Sequence, residues 1–364
     1  MRFAPRRGHI PYWLIAASVA AALLAVLPIF AAIMQGGPGQ AAVGHAFASA
    51  PQGLYAVVAQ GGETEDRLLA IAADDESDVR EIARVPHLVG LTSSGAVSPD
   101  GSLLALVTAD SGTPSRPLAA LLLVDLRASG SRLVATGIDY LQPPVWKPDG
   151  TAVMVTRTTG EGPLVDVQVL SVPSAGGPES VAGEASRVLG AYPVGFDGGG
   201  APLWVVIDGR GSTLVRAGQD LRNLAPNITR DWRLSPDGKA IAFIEADSSG
   251  GLRYIQRLAP VAAGVSREQA EGPAGQALGV AWRPGSAEPT YGLEPAHAAP
   301  NAGREQRAAG FDVPLGYSPD GRLLAVQAWS GSSFEEAGSM EITLVGPSGR
   351  VAIPASRFYG WAAR

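Results

Sequence analysis

Four near-identical tetrapeptides recur along the chain: Ser98-Pro99-Asp100-Gly101, Lys147-Pro148-Asp149-Gly150, Ser235-Pro236-Asp237-Gly238 and Ser318-Pro319-Asp320-Gly321. Proline presets φ, aspartate can bond its own backbone, and glycine takes the positive φ that closes a tight hairpin. Each motif therefore reads as a turn between strands. Two degenerate copies, Phe196-Asp197-Gly198 and Arg283-Pro284-Gly285, fill the gaps, placing the third turn position at 100, 149, 197, 237, 285 and 320. The steps are 49, 48, 40, 48 and 35 residues, averaging 44. A repeat of about 40–50 residues is the length of one propeller blade.

Short apolar segments follow the turns, at 103–107, 152–156, 240–244 and 323–327, and a second strand follows at 120–124, 165–169 and 341–345. They have the length and composition of buried strands, and no stretch beyond residue 34 shows a helical period. The segments 54–58, 68–72 and 79–83 look like post-turn strands that lack an inner strand. The missing strand is expected at 360–364, which parallels the pre-turn segment 280–283. Both termini would then share one blade and leave no open edge. The expected fold is an all-β, seven-bladed β-propeller, six complete blades and one shared. Six blades is the alternative, because the 35-residue step holds the irregular stretch 296–303.

The Ser-Pro-Asp-Gly turn followed by an aliphatic strand resembles the TolB-like, WD40-like repeat of bacterial β-propellers, across residues 53–364. The resemblance implies the propeller but no single activity, since the family includes periplasmic assembly factors, peptidase propeller domains and receptors. The additional N-terminal α/β domain of TolB finds no counterpart in the sequence, so TolB's partners are not carried over.

Residues 13–34 form an uncharged apolar run of 22 residues, preceded by Arg2, Arg6 and Arg7 and flanked by an aromatic pair, Tyr12 and Trp13. About 20 such residues span a bilayer, and the positive-inside rule keeps the N-terminus cytoplasmic. The expected organisation is a cytoplasmic segment 1–12, a transmembrane signal-anchor helix 13–34, a flexible linker 35–52 and an extracytoplasmic propeller 53–364. The alternative is secretion after cleavage near Ala46-Phe47-Ala48. Beyond the three arginines the chain carries 25 basic against 34 acidic residues, which disfavours nucleic acid. Zero cysteines exclude disulfides and thiol chemistry.

A nucleophile elbow, G-x-S-x-G, is absent. Of four histidines, His9 and His45 precede the propeller, leaving His87 and His297, too few for a His-rich metal centre. His87 reads as a solvated loop residue. The acidic run Asp74-Asp75-Glu76-Ser77-Asp78 lacks the spacing of an EF-hand loop and reads as a charged loop. The turn aspartates read as structural, and Trp146, Trp282 and Tyr317 as packing residues at inner-strand ends.

Binding is expected on the loops that lead into the inner strands, because loops on a rigid scaffold carry function. These loops hold Asp139, Tyr140, Tyr192, Arg230, Asp231 and Asp312 as candidate binding residues, with His87, Asn227, Trp232, Phe311, Phe358 and Tyr359 beside them. Aromatics mixed with Arg and Asp suit a protein or peptide interface. The function expected is therefore a non-enzymatic, membrane-anchored scaffold with an envelope protein or peptide partner. No cofactor is expected. The alternative is a lactonase-like hydrolase in which Asp139, Asp231 and Asp312 converge on a divalent cation such as Ca²⁺.

Overall fold

The computed structural model describes residues 53–128, 130–140, 142–160, 162–249, 252–262, 267–268, 277–293, 310–333 and 336–363. The segments 1–12, 13–34 and 35–52, His297 and the stretch 296–303 lie outside the described residues.

Every regular element described is a strand. The first three are β1 (Leu54–Gln60), β2 (Glu65–Ala72) and β3 (Val79–Pro86). The next sheet is β4 (Ser94–Val97), β5 (Leu103–Thr113), β6 (Arg116–Asp125) and β7 (Ser131–Ile138). Then come β8 (Val145–Trp146), β9 (Ala152–Thr159), β10 (Val165–Pro173) and β11 (Ser180–Val188). The fourth group is β12 (Gly190–Phe196), β13 (Pro202–Asp208), β14 (Gly211–Arg216) and β15 (Gln219–Ala225). The fifth is β16 (Thr229–Leu234), β17 (Ala240–Asp247), β18 (Arg253–Pro260) and β19 (Arg267–Glu268). A pair, β20 (Ala277–Trp282) and β21 (Pro289–Leu293), precedes β22 (Phe311–Tyr317), β23 (Leu324–Trp329), β24 (Met340–Gly346) and β25 (Gly349–Ile353). The last strand, β26 (Arg357–Ala363), returns to the first sheet, whose order is β26-β1-β2-β3.

The expected closure by both termini is therefore present. Leu54 pairs with Ala363 and Ala59 with Arg357, antiparallel, with one irregularity between Val57 and Val58. The blade count is corrected: the described residues form six four-stranded blades, not seven, together with the two-stranded sheet β20-β21. That sheet stands at the 35-residue step, the one that holds the irregular stretch 296–303.

Neighbouring sheets pack face to face through alternating apolar residues. One cluster joins Val57, Leu68 and Val85 of the closing sheet to Leu104 and Leu106 of β5. Others join Val107 and Leu121 to Val153 and Val155, and Met154 and Val169 to Trp204. Further round, Leu203 and Leu214 meet Ile241 and Phe243. On the last full sheet, Ile342 and Leu344 of β24 pack against Ala56 and Leu69 of the closing sheet. Both faces of β20 are covered: Ala277 and Val280 meet Ile244 and Leu258 on one side, and Ala281 meets Leu324 and Val326 on the other.

The repeated turn has one recurrent hydrogen-bond pattern. Ser98 Oγ donates to Asp100 Oδ1 at 2.6 Å and accepts from the Leu103 N–H at 2.9 Å. Ser235 repeats this with Asp237 and Ala240, and Ser318 with Asp320 and Leu323. These bonds hold the Asp100 and Asp237 carboxyls below their usual range. The glycine that follows sits at positive φ, +71° at Gly101 and at Gly150. A second recurrent device links blades: the indole N–H of Trp146 donates to Ala96 O at 2.7 Å, that of Trp282 to Arg233 O at 3.0 Å and that of Trp361 to Gly316 O at 3.3 Å. Trp146 and Trp282, expected merely to pack, and Trp361 thus tie β8, β20 and β26 each to the preceding inner strand.

Replacing Gly150 by alanine meets open space and costs only the left-handed backbone penalty, about 1–2 kcal/mol. Gly101→Ala has the same φ, but its Cβ would lie 2.6 Å from the Ala363 nitrogen of the closing strand. Urea denaturation is expected to show Gly101→Ala the more destabilised of the two by at least about 1 kcal/mol.

Candidate functional site at the propeller mouth

In a four-stranded meander the chain reverses at each hairpin. The turn after each inner strand therefore lies on one face, and the link from an outer strand to the next inner strand lies on the other. That second face, the mouth, carries the links 87–93, 139–144, 226–228 and 354–356. The Ser-Pro-Asp-Gly turns occupy the opposite, turn face.

The carboxylates at the mouth are each engaged within their own surroundings. Asp139 Oδ2 accepts from Thr156 Oγ1 at 2.5 Å and Thr158 Oγ1 at 2.8 Å, and its Oδ1 accepts from the Thr158 N–H at 2.9 Å. It clamps the end of β7 to β9. Asp231 is held by the neighbouring Arg230 guanidinium and sits at φ +55°, unusual for a residue with a side chain. Asp312 takes both terminal nitrogens of Arg350 at 2.8 Å. Among the described residues no three Asp, Glu or His side chains are grouped so that they could hold a metal ion. The acidic run is likewise engaged: Asp75 accepts from the Ser77 N–H at 3.0 Å and Oγ at 2.6 Å, and Asp78 accepts from the Tyr55 hydroxyl at 2.9 Å.

The aromatics form a patch between β12 and β16. The Tyr192 and Trp232 rings lie 5.0 Å apart, both half-buried, and the Trp232 indole donates to Thr229 Oγ1 at 2.8 Å. Burial, and then the charge of Asp139, push the Tyr192 phenol above its ordinary pKa. Arg230 lies over the Tyr254 ring, 4.6 Å from its centroid, and donates to Ala277 O at 3.1 Å. Tyr140 is buried, with its hydroxyl bonded to the Thr92 backbone. Asn227 donates to the buried Glu245 at 2.7 Å, Phe311 is buried against Trp329, and Phe358 meets Trp361 edge to face. Of the candidates, Tyr192 meets Trp232 and Arg230 pairs with Asp231, with Asp139 acting on Tyr192 by its charge, while Tyr140 ties its link to Thr92 and Asp312 is engaged by Arg350.

His87 is not a solvated loop residue. It is 4% exposed, and its Nε2 faces Asp66 Oδ1 at 3.5 Å. Asp66 is fully buried and accepts from Arg357 Nη2 at 2.6 Å, the Ser93 N–H at 2.9 Å and Ser93 Oγ at 2.6 Å. Ser93 Oγ in turn meets the buried Tyr359 hydroxyl at 2.7 Å. Ser93 therefore bonds directly to the carboxylate and to Tyr359, an arrangement that latches β2, β26 and the link to β4. The sequence shows Glu65-Asp66-Arg67 as an ordinary polar run, and only the alternation of the strand could have marked Asp66 as inward-facing.

Removing one partner from a buried ion pair strands the other, at a cost of about 3–5 kcal/mol. Asp66→Ala is expected to lose stability in that range by chemical denaturation. Asp231→Ala, whose carboxylate is partly exposed, is expected to stay within about 1 kcal/mol of the parent.

No protein-family model matches the chain, and no curated protein matches it. Among solved structures, TolB from Acinetobacter baumannii aligns with a TM-score of 0.51 at 15% identity, over 86% of this chain and 67% of that one. A prolyl endopeptidase structure aligns with a TM-score of 0.55 at 13% identity, over 94% of this chain and 54% of that one. A putative TolB from Agrobacterium tumefaciens aligns at 0.44 and 16% identity, over 76% of this chain and 92% of that one. At such identities the likeness is one of fold: the chain is built as a β-propeller, the fold it shares with TolB.

Proposed function

We propose that the chain is a non-enzymatic, extracytoplasmic binding scaffold, tethered to the membrane by residues 13–34, whose mouth face receives an envelope protein or peptide. The observation that carries this reading is the contact of Tyr192 with Trp232, with Arg230 two residues before Trp232 on the same strand, each half-buried and fixed by its own contacts. Tyr, Trp and Arg dominate the energetics of protein interfaces, and anchors already held in place lose little side-chain entropy on binding. The apolar run behind three arginines supports the tether, and the TolB-like repeat, which periplasmic assembly factors carry, supports the compartment.

The lactonase-like alternative needs Asp139, Asp231 and Asp312 to be available to one cation. Each is instead committed to a different partner: threonines, Arg230 and Arg350 respectively.

A photo-crosslinking residue at Tyr192, introduced in cells, is expected to give one discrete adduct, and one at Asp149 on the turn face none. Equal labelling from both faces would count against a mouth partner. Calorimetric titration with Ca²⁺ is expected to show no saturable site that Asp231→Ala removes. A one-site isotherm abolished by that substitution would move the assignment to a metal-dependent hydrolase.

A further inference from the structure

The inner strands β4, β8, β12, β16, β20, β22 and β26 surround the propeller axis, and their described residues are buried or half-buried with two exceptions. One is Ala363, at the chain end, and the other is Arg233. Arg233 occupies the position two residues ahead of the turn. The corresponding residues are Ala96, Val145, Ala281 and Gly316 ahead of their turns, and Gly360 ahead of Trp361 in the closing strand. Those positions are small or apolar, and at this level of the ring Arg233 stands out by its charge. Its backbone is pinned there, because Arg233 O accepts the Trp282 indole N–H, just as Ala96 O and Gly316 O accept theirs.

Among the described residues, Arg233 is also the charge on these strands left without a carboxylate partner. Arg230 is paired with Asp231, Asp312 with Arg350, and Arg357 with Asp66. The guanidinium of Arg233 instead donates from Nη1 to the Trp232 carbonyl, at 3.1 Å. It is held below its ordinary pKa by the protein around it, although the nearby Asp231 acts in the opposite direction. Its side chain is exposed although it stands on an inner strand. The register shift in β16 between Arg230 and Arg233 is what separates the mouth cation from this one.

We infer that Arg233 is the receptor for a carboxylate group entering the channel from the turn face. A guanidinium fork matches a carboxylate in a bidentate, planar pair, and its single charge balances a single anionic charge. The small and apolar residues at the same level carry no side-chain donor or acceptor and compete for none of its oxygens. The site lies toward the turn end of β16, beyond the mouth patch, so it stands independently of the function proposed above.

The test uses the full-length chain in detergent and two sources of carboxylate: propionate, and an N-acetylated tripeptide with a free C-terminus. Each is compared with its amide. Phenylglyoxal labelling of Arg233, followed by mass spectrometry, is expected to slow in either acid and not in the amides. Calorimetry should show Arg233→Gln binding the protecting acid at least ~10-fold more weakly, as loss of one charge-assisted hydrogen-bonded pair implies, with Arg233→Lys retaining part of the affinity. Protection by the peptide acid alone would identify a chain terminus as the ligand, and protection by propionate as well would identify a free organic acid as sufficient. Labelling unaffected by both acids, equal protection by the amides, or an Arg233→Gln protein that binds as tightly as the parent would overturn the assignment.

Discussion

The pairing of β26 with β1 is the interaction on which the rest of the structure depends. A row of sheets packed face to face leaves its first and last members each with an uncovered face and an edge open to other chains. Here the last strand of the chain becomes the inner strand of the first sheet, over the pairs from Leu54–Ala363 to Ala59–Arg357. The closure is more than a backbone ladder. Asp66 on β2 binds Arg357 on β26 and Ser93 ahead of β4, so a single buried carboxylate joins the C-terminal strand, the first sheet and the next blade. A fully buried charge is tolerated only because its oxygens are saturated by such donors.

The same economy governs the polar residues around the mouth. Asp139 staples β7 to β9 through two threonines, Asn227 caps Glu245, and Asp312 grips Arg350. These groups could have been mistaken for a reactive cluster because the loops carrying them converge on one face. Their partners show instead that each stabilises its own blade junction. The aromatic surface at the mouth is fixed by the Tyr192–Trp232 contact and the Arg230–Tyr254 stack.

The fold was legible because its repeat has strict local chemistry. Ser98, Asp100 and Gly101 must occupy those places for the hydroxyl to bridge the turn and the glycine to take positive φ, and the pattern survives wherever that geometry recurs. Closure was legible from the mismatch between a first sheet short of an inner strand and a last segment with no turn after it. The blade count was not, since β20-β21 surrounds a turn lacking aspartate and precedes the shortest step in the repeat. The latch was illegible for another reason. Asp66, His87, Ser93, Arg357 and Tyr359 are scattered over almost 300 residues, and apart from the strand alternation at Asp66 nothing local marks them as one cluster. Arg233 is likewise ordinary in sequence, and becomes distinctive only beside the equivalent positions of the other inner strands.

Native-state hydrogen exchange of the β26 amides, compared with those of the central strand β5, tests the closure most directly. The account predicts that Gly360 and Trp361 exchange as slowly as Leu104 and Leu106, opening only with global unfolding. Exchange of β26 through a separate, low-energy opening while β5 stays protected would contradict it, because the C-terminal strand would then be an appendage to the ring instead of its fastening.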